Sequence, residues 1–172
     1  MTGAAGAIFG NWMFGGIVTA TSGAMLTVDM GFDNARMRTG RLTPLRPDAV
    51  PGVDPFIGDA PDNYLNGAAF SVPEEGFLGD VGRGTLEGPG RFITDLSLIK
   101  QIPFGSWEST RLTFRAEFFN IFNKANFSPP SSRWATGDFN NPNGPRLSGT
   151  FGKSTSTVDT SRQIQFALRI SF

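Results

Sequence analysis

Few residues of this chain could do chemistry. The 172 residues include no histidine and no cysteine. This excludes a Ser-His-Asp triad, histidine-ligated zinc, a thiol nucleophile and disulfides. The adjacent Glu74 and Glu75 would point to opposite sides of an extended chain, so they do not form a catalytic acid–base pair. The sequence therefore predicts a protein that is not an enzyme and that needs no cofactor.

The sequence also gives little support for an ion-binding or a nucleic-acid-binding site. The loop Gly137–Gly144 carries Asp and Asn oxygens that suit calcium, but its spacing is not that of an EF-hand and the same residues form turns. We favour the turn interpretation and predict no metal site. Gly79, Gly82 and Gly84 do not form a phosphate-binding motif. The 15 basic and 15 acidic residues cancel, so no nucleic-acid partner is expected.

The clearest pattern lies at the carboxyl terminus. Residues 162–172 alternate between apolar and mostly polar side chains, with Ile164, Phe166, Leu168, Ile170 and Phe172 on one parity. A period of two indicates a strand with one apolar face. Transmembrane strands need about 9–11 residues of this kind, apolar towards lipid and polar towards a lumen. Both the length and the pattern fit such a strand.

Three earlier segments, 11–30, 92–102 and 109–121, also alternate. We therefore predict an all-β fold, an antiparallel meander of four long strands. The alternation fails at Phe119 and Ile121, where a bulge or an aromatic belt is expected. A short amphipathic helix over 115–122 is an alternative, because Ala116, Phe119 and Phe122 are three apart.

The connections are unequal in length. A short turn at 103–108 joins the second and third strands, whereas long loops at about 31–91 and 122–161 make the other two connections. Transmembrane barrels have short periplasmic turns and long extracellular loops. If Phe172 lies at the periplasmic rim, strand direction places both long loops outside. Alternating strands also build soluble sandwiches, and the strand pattern alone does not separate the two.

Five charged residues share the parity expected to face the lumen: Asp95, Arg111, Arg115, Glu117 and Arg169. They could contact a plug or simply line a solvated wall, and we favour the solvated wall. A hairpin at 103–108 could bring Asp95 near Arg115, although sequence does not fix register. In the loops, Tyr64 or Trp134 could stack on a ligand, which sequence cannot distinguish from ordinary packing.

Several motifs in order resemble the C-terminal part of TonB-dependent receptors, closest to the Oar-like group. Those motifs are Gly88-Pro89-Gly90-Arg91-Phe92, Asp95-Leu96-Ser97-Leu98, Arg115-Ala116-Glu117-Phe118-Phe119-Asn120-Ile121-Phe122-Asn123, Asn126-Phe127 and Arg162-Gln163-Ile164-Gln165-Phe166-Ala167-Leu168-Arg169. Upstream, Trp12, Ser22-Gly23, Asn66-Gly67-Ala68-Ala69-Phe70 and Val72-Pro73 fit the same pattern, as does Phe151-Gly152. The resemblance covers nearly the whole chain from Trp12 onward.

The resemblance implies a bacterial outer-membrane barrel of about 22 strands with a plugged lumen. Such receptors bind a scarce nutrient outside and import it with energy passed on by TonB. This chain has no plug, no TonB-contacting segment and only four strands, so it should supply the last four barrel strands. Expected partners are the rest of the barrel and plug, outer-membrane lipid and the barrel-assembly machinery. Phe172, with Phe166, Leu168 and Ile170, resembles the assembly signal of outer-membrane proteins.

Two other functions remain open. The chain could be one subunit of an oligomeric barrel, each copy giving four strands, or a soluble secreted β-domain that binds glycan or another ligand. The segment 1–23 lacks a basic start and is not interpreted as a signal peptide, which suggests a fragment of a longer reading frame. The sequence does not identify the ligand.

Overall fold

A computed structural model describes residues 8–37, 45–103, 110–137 and 146–172. Within those ranges the chain forms eleven strands and a short 3-10 turn at Gly67–Ala69. No helix there is both long and apolar enough to cross a membrane. The strands are β1 (Trp12–Thr21), β2 (Met25–Leu26), β3 (Asp29–Met30), β4 (Asp48–Ala49), β5 (Phe70–Ser71), β6 (Leu86–Glu87), β7 (Arg91–Pro103), β8 (Arg111–Phe119), β9 (Arg133–Thr136), β10 (Arg146–Leu147) and β11 (Gln163–Ser171).

The chain divides into two compact units. Unit 1 comprises residues 1–20, 92–125 and 159–172, and unit 2 comprises residues 21–91 and 126–158. Unit 1 contains the long strands, whereas unit 2 is made from the two long connections between them. The two units differ in how far their apolar side chains are buried.

Unit 1 is a four-stranded sheet in the order β1-β7-β8-β11. β8 pairs antiparallel with β7 on one side and with β11 on the other. The Gln101 N–H donates to the Asn11 carbonyl at one end of the β1–β7 pair, and Gly16 lies beside Asp95 further along, so these strands also run antiparallel. The predicted all-β antiparallel fold is confirmed. The turn predicted at 103–108 lies mostly in residues 104–109, outside the described ranges.

β8 ends where the sequence pattern breaks down. The helix alternative for 115–122 is wrong, because Arg111–Phe119 is a strand paired on both sides. Asn120 follows with a φ of 50° and Asn123 with a φ of 51°. Asparagine tolerates this left-handed conformation better than most residues, and it turns the chain out of the sheet. The failure of alternation at Phe119 and Ile121 therefore marks the end of the strand.

The first predicted strand, 11–30, is too long. β1 ends at Thr21, and residues 22–30 instead contribute the short strands β2 and β3 to unit 2. The apolar parity continues, but its surroundings change. Phe14 and Val18 in β1 are exposed, whereas Val28 and Met30 are buried in a core. A pattern of period two cannot report this change, because it says which face is apolar and not what covers that face.

Unit 2 has a hydrophobic core of its own, although its segments were predicted as loops. The core is formed by Leu26, Val28, Met30, Phe32, Leu45, Leu65, Ala69, Phe70, Val81, Leu86, Trp134, Ala135 and Phe151. Phe70 lies at its centre and makes edge-to-face contacts with Trp134 and Phe151, with ring centroids 6.4 and 5.8 Å apart. The strands of unit 2 are short, so packing of side chains rather than long ladders holds it together.

Gly79 allows two backbone segments of unit 2 to touch. A Cβ at position 79 would lie 2.1 Å from the carbonyl oxygen of Arg46 and 2.3 Å from that of Pro47. Both neighbours are backbone atoms, so neither can move aside by changing rotamer. The approach also brings residue 81 to residue 47, where the Val81 N–H donates to the Pro47 carbonyl over 3.2 Å.

We predict that Gly79→Ala destabilises unit 2 by about 3 kcal/mol, because overpacking against backbone forces a shift of the chain. Amide hydrogen exchange at Val81 and Phe70 measures the loss of protection. Gly149→Ala is the matched control, since a Cβ there meets nothing within 4 Å. Equal protection in the two variants would contradict the close-approach role of Gly79.

Candidate functional site: the two faces of the four-stranded sheet

Strand register places the apolar residues of unit 1 together. Leu168 lies opposite Phe114, and Phe114 lies opposite Lys100, so alternate positions from neighbouring strands share one side of the sheet. We call this side the apolar face. It consists of Trp12, Phe14, Gly16, Val18, Thr94, Leu96, Leu98, Lys100, Ile102, Leu112, Phe114, Ala116, Phe118, Ile164, Phe166, Leu168 and Ile170.

The apolar face is open at its two outer strands. In β11, Phe166 is 65% exposed, Leu168 66% and Ile170 56%. In β1, Phe14 is 73% exposed. The Phe166 ring stacks on Phe114 of β8, with centroids 6.0 Å apart, so neighbouring strands pack sideways while their outer surface stays uncovered. Such a contiguous apolar surface indicates contact with lipid or with another protein.

The predicted assembly residues occupy the end of this face. Phe166, Leu168 and Ile170 lie side by side on β11, and Phe172 follows the last residue of that strand. The Phe172 side chain is 99% exposed. The four residues are thus presented together at a free edge of the sheet.

The opposite side of the sheet, which we call the polar face, carries the predicted charges Asp95, Arg111, Arg115, Glu117 and Arg169. Arg115 Nη1 lies 3.5 Å from Glu117 Oε1, an ion pair along one strand. The expected proximity of Asp95 to Arg115 is wrong. Register places Arg115 opposite Ile99 and Ala167, and the Asp95 carboxylate instead accepts a hydrogen bond from the Asn120 N–H over 2.8 Å.

Lys100 is the one charged residue on the apolar face within the described strands, and sequence reasoning missed it. Its side chain is nevertheless only 6% exposed. The ammonium donates to the carbonyls of Ile8, at 3.1 Å, and Gly10, and it lies 4.9 Å from the centroid of the Trp12 ring. These partners replace water around the charge. The parity of Leu96 and Leu98 in the sequence already pointed to this position.

The candidate stacking residues of unit 2 are packed. Trp134 is 8% exposed and its indole N–H donates to the Gly67 carbonyl over 2.8 Å, so it belongs to the core. The Tyr64 hydroxyl donates to the Glu87 carbonyl over 3.0 Å, and its ring meets Phe56 edge-on. Burial, with smaller contributions from Glu87 and Asp59, raises the pKa of Tyr64. Neither ring is presented as a free platform.

Among the described residues, no group of three or more carboxylates is placed to hold a metal ion. Glu75 pairs with Arg36 at the surface. Burial raises the pKa of Asp29, while its ion pair with Arg133 at 3.3 Å opposes the shift. The loop considered for calcium, 137–144, lies outside the described residues beyond Gly137.

Long antiparallel strands with an exposed apolar face and a charged opposite face are typical of one class of protein, the membrane β-barrels. The chain matches, over residues 2–165, the family described as an outer membrane beta barrel domain, and it belongs to that family. No curated protein and no solved structure matches it. The family places the protein in the bacterial outer membrane and points to a structural or transport role rather than to catalysis.

We predict that Lys100→Met loosens the segment that precedes β1. The substitution keeps an unbranched side chain but removes the ammonium that donates to the carbonyls of Ile8 and Gly10, and the Ile8 carbonyl keeps only the Trp12 indole N–H at 2.9 Å. Losing partners of this kind costs about 1–3 kcal/mol. Amide hydrogen exchange at Trp12 and Met13 measures the effect and should rise about tenfold or more.

Lys124→Met is the matched control. Lys124 also lies over an aromatic ring, with its Nζ 5.4 Å from the Phe92 centroid, but its ammonium bonds no carbonyl in the described structure. Exchange at Trp12 should not change in this variant. A similar rise in both variants would show a general loss of stability and would contradict the specific role of the Lys100 carbonyl bonds.

Proposed function

We propose that this chain supplies the last four strands and two extracellular segments of a TonB-dependent receptor barrel that imports a nutrient across the outer membrane. In this proposal the apolar face contacts lipid and the polar face lines the lumen. The receptor identity rests on the sequence resemblance, whereas the family membership supports the outer-membrane location and the β-barrel fold.

The observation that carries the proposal is a difference in burial: apolar side chains form a buried core in unit 2 but remain exposed on the strands of unit 1. Of the buried apolar residues in the described part of the chain, only Ala116 belongs to unit 1, and the others lie in unit 2. Large side chains such as Phe166 and Leu168 remain exposed on β11, a regular strand that pairs with β8 along its whole length. In water this arrangement is unfavourable, but in lipid an exposed apolar face is the expected state of a barrel strand.

The open edges of the sheet support a larger barrel. Within the described residues, β1 and β11 each pair with one neighbour only. An unpaired backbone edge is not tolerated in the hydrocarbon region, and closed bacterial barrels have 8 or more strands. More strands must therefore join both edges. They come from the rest of the receptor in our proposal, or from further copies in an oligomeric barrel.

Strand directions determine the sides of the membrane in this proposal. Because the sheet is an antiparallel meander, the connections from β1 to β7 and from β8 to β11 start and finish at the same end of the sheet. Long connections are extracellular in bacterial barrels, so Phe172 would lie at the periplasmic rim. TonB and the plug would act through parts of the receptor beyond these strands, and the charges on the polar face would line a solvated wall.

Two experiments separate the receptor from its alternative. The genomic reading frame upstream of Met1 should continue into further alternating strands and a plug domain. The chain expressed alone in a Gram-negative host should give no heat-sensitive oligomer on semi-native gels. Four strands cannot close a barrel, and in this proposal the missing strands come from the rest of the receptor and not from further copies of the chain. A ribosome-binding site directly before Met1, together with a defined heat-sensitive oligomer, would instead support the oligomeric barrel.

We predict that deleting Phe172 from the full-length receptor lowers its level in the outer membrane by about fivefold or more, because the assembly machinery would lose the terminal aromatic of the strand. Quantitative immunoblots of isolated outer membranes, with heat-modifiable mobility as the test of folding, measure this change.

Phe77→Ala is the matched control for that deletion. Phe77 is also an exposed phenylalanine, 62% accessible, but it lies in unit 2. Its replacement should leave the membrane level unchanged. An unchanged level and normal heat-modifiable mobility after deletion of Phe172 would remove the assembly role.

A further inference from the structure

Unit 2 also contains a cavity of about 310 Å³. Three stretches of chain line it, residues 49–55, 69–70 and 80–86. Its floor is formed by Phe70, Val81 and Leu86, which are each at most 7% exposed. The volume is roughly twice the 150 Å³ that admits a benzene ring, and it falls at the lower end of the range for small-molecule sites.

One wall is held by a tight turn. The Val53 N–H donates to the Val50 carbonyl over 3.3 Å, and Gly52 has a φ of 78°. Proline at the second position and a residue with positive φ at the third are the features of a type II turn. The Val50 N–H is in turn fixed to the Ala69 carbonyl over 2.9 Å. The side chains of Val50 and Val53 therefore border a preformed cavity.

The rim carries one carboxylate, fixed by two hydrogen bonds. The Asp80 carboxylate accepts from the Ala49 N–H over 2.8 Å, and the Asp80 N–H donates to the Asp48 carboxylate over 3.0 Å. The first of these bonds uses one carboxylate oxygen of Asp80, Oδ1. The other carboxylate oxygen has no partner among the described residues. Asp80 is also the only charged residue that lines the cavity.

We propose that this cavity binds a small organic cation, a primary ammonium on an aromatic or branched alkyl body. The apolar floor would take the body, and the unused oxygen of Asp80 would take the ammonium as a charge-assisted acceptor. A carboxylate ligand of the same shape is disfavoured, since it would place two like charges together at the rim. The inference depends on unit 2 alone and holds whether or not unit 1 belongs to a transport receptor.

The test is a titration of the full-length outer-membrane protein that contains this chain, placed in lipid nanodiscs, with phenethylamine. Methyl NMR of Val50, Val53, Val81 and Leu86 reports occupancy of the cavity. The uncharged 2-phenylethanol and the anionic 3-phenylpropionate serve as matched ligands. The amine should bind about fivefold more tightly than the alcohol, because an accessible ion pair contributes about 1 kcal/mol, and the anion more weakly still.

Two variants locate the site. Asp80→Asn keeps an oxygen that can accept from the Ala49 N–H, and it should reduce amine affinity to that of the alcohol while leaving alcohol binding unchanged. Val53→Trp should fill the cavity and abolish the shifts for both ligands. Asp62→Asn removes an exposed carboxylate that does not line the cavity, and it should bind like the unaltered chain.

The result on the unaltered chain is decisive even if a variant fails to fold. Equal affinity for amine, alcohol and anion would overturn the proposed specificity. Methyl shifts spread over the whole chain, or unchanged in Val53→Trp, would show that the ligand partitions into lipid and would overturn the site.

Discussion

The apolar face of the four-stranded sheet is the constraint on which the rest of the structure depends. A strand of period two that pairs on both sides satisfies its backbone, but its apolar side still requires an apolar neighbour. Unit 1 does not supply that neighbour from its own residues, since Phe14, Phe166 and Leu168 remain exposed. In the bacterial outer membrane, where the family places this protein, lipid is available for the role. The same requirement explains why the one cation on that face, Lys100, is enclosed by carbonyls and a tryptophan ring.

Unit 2 meets the opposite requirement with the same residue types. Its long connections collect many of their apolar side chains in a core that includes Phe70, as a domain surrounded by water does. Short strands and backbone contacts at Gly79 take the place of long ladders. One chain therefore exposes its apolar residues in one unit and buries them in the other, and it crosses between the units four times, after Ala20, Arg91, Ala125 and Val158.

The sequence predicts the sheet well, because backbone pairing and a one-sided environment leave an alternation of apolar and mostly polar residues at 111–118 and 163–171. It predicts unit 2 poorly, because that core joins residues such as Leu26, Phe70 and Phe151, which are far apart in the chain and follow no period. Register was equally hidden, so the neighbour of Arg115 could not be chosen correctly in advance. The buried state of Lys100 was not visible either, since its partners come from residues 8–12, whose contacts no local pattern encodes.

Site-directed spin labelling along β8 tests the orientation of the sheet most directly. Single cysteines at positions 112–118 carry the only labels, because the chain has no cysteine of its own. In outer-membrane vesicles, accessibility to oxygen should peak at 112, 114, 116 and 118, and accessibility to a water-soluble nickel complex should peak at 113, 115 and 117. Oxygen and nickel accessibilities that vary in phase, or that peak at the opposite positions, would contradict lipid contact by the apolar face.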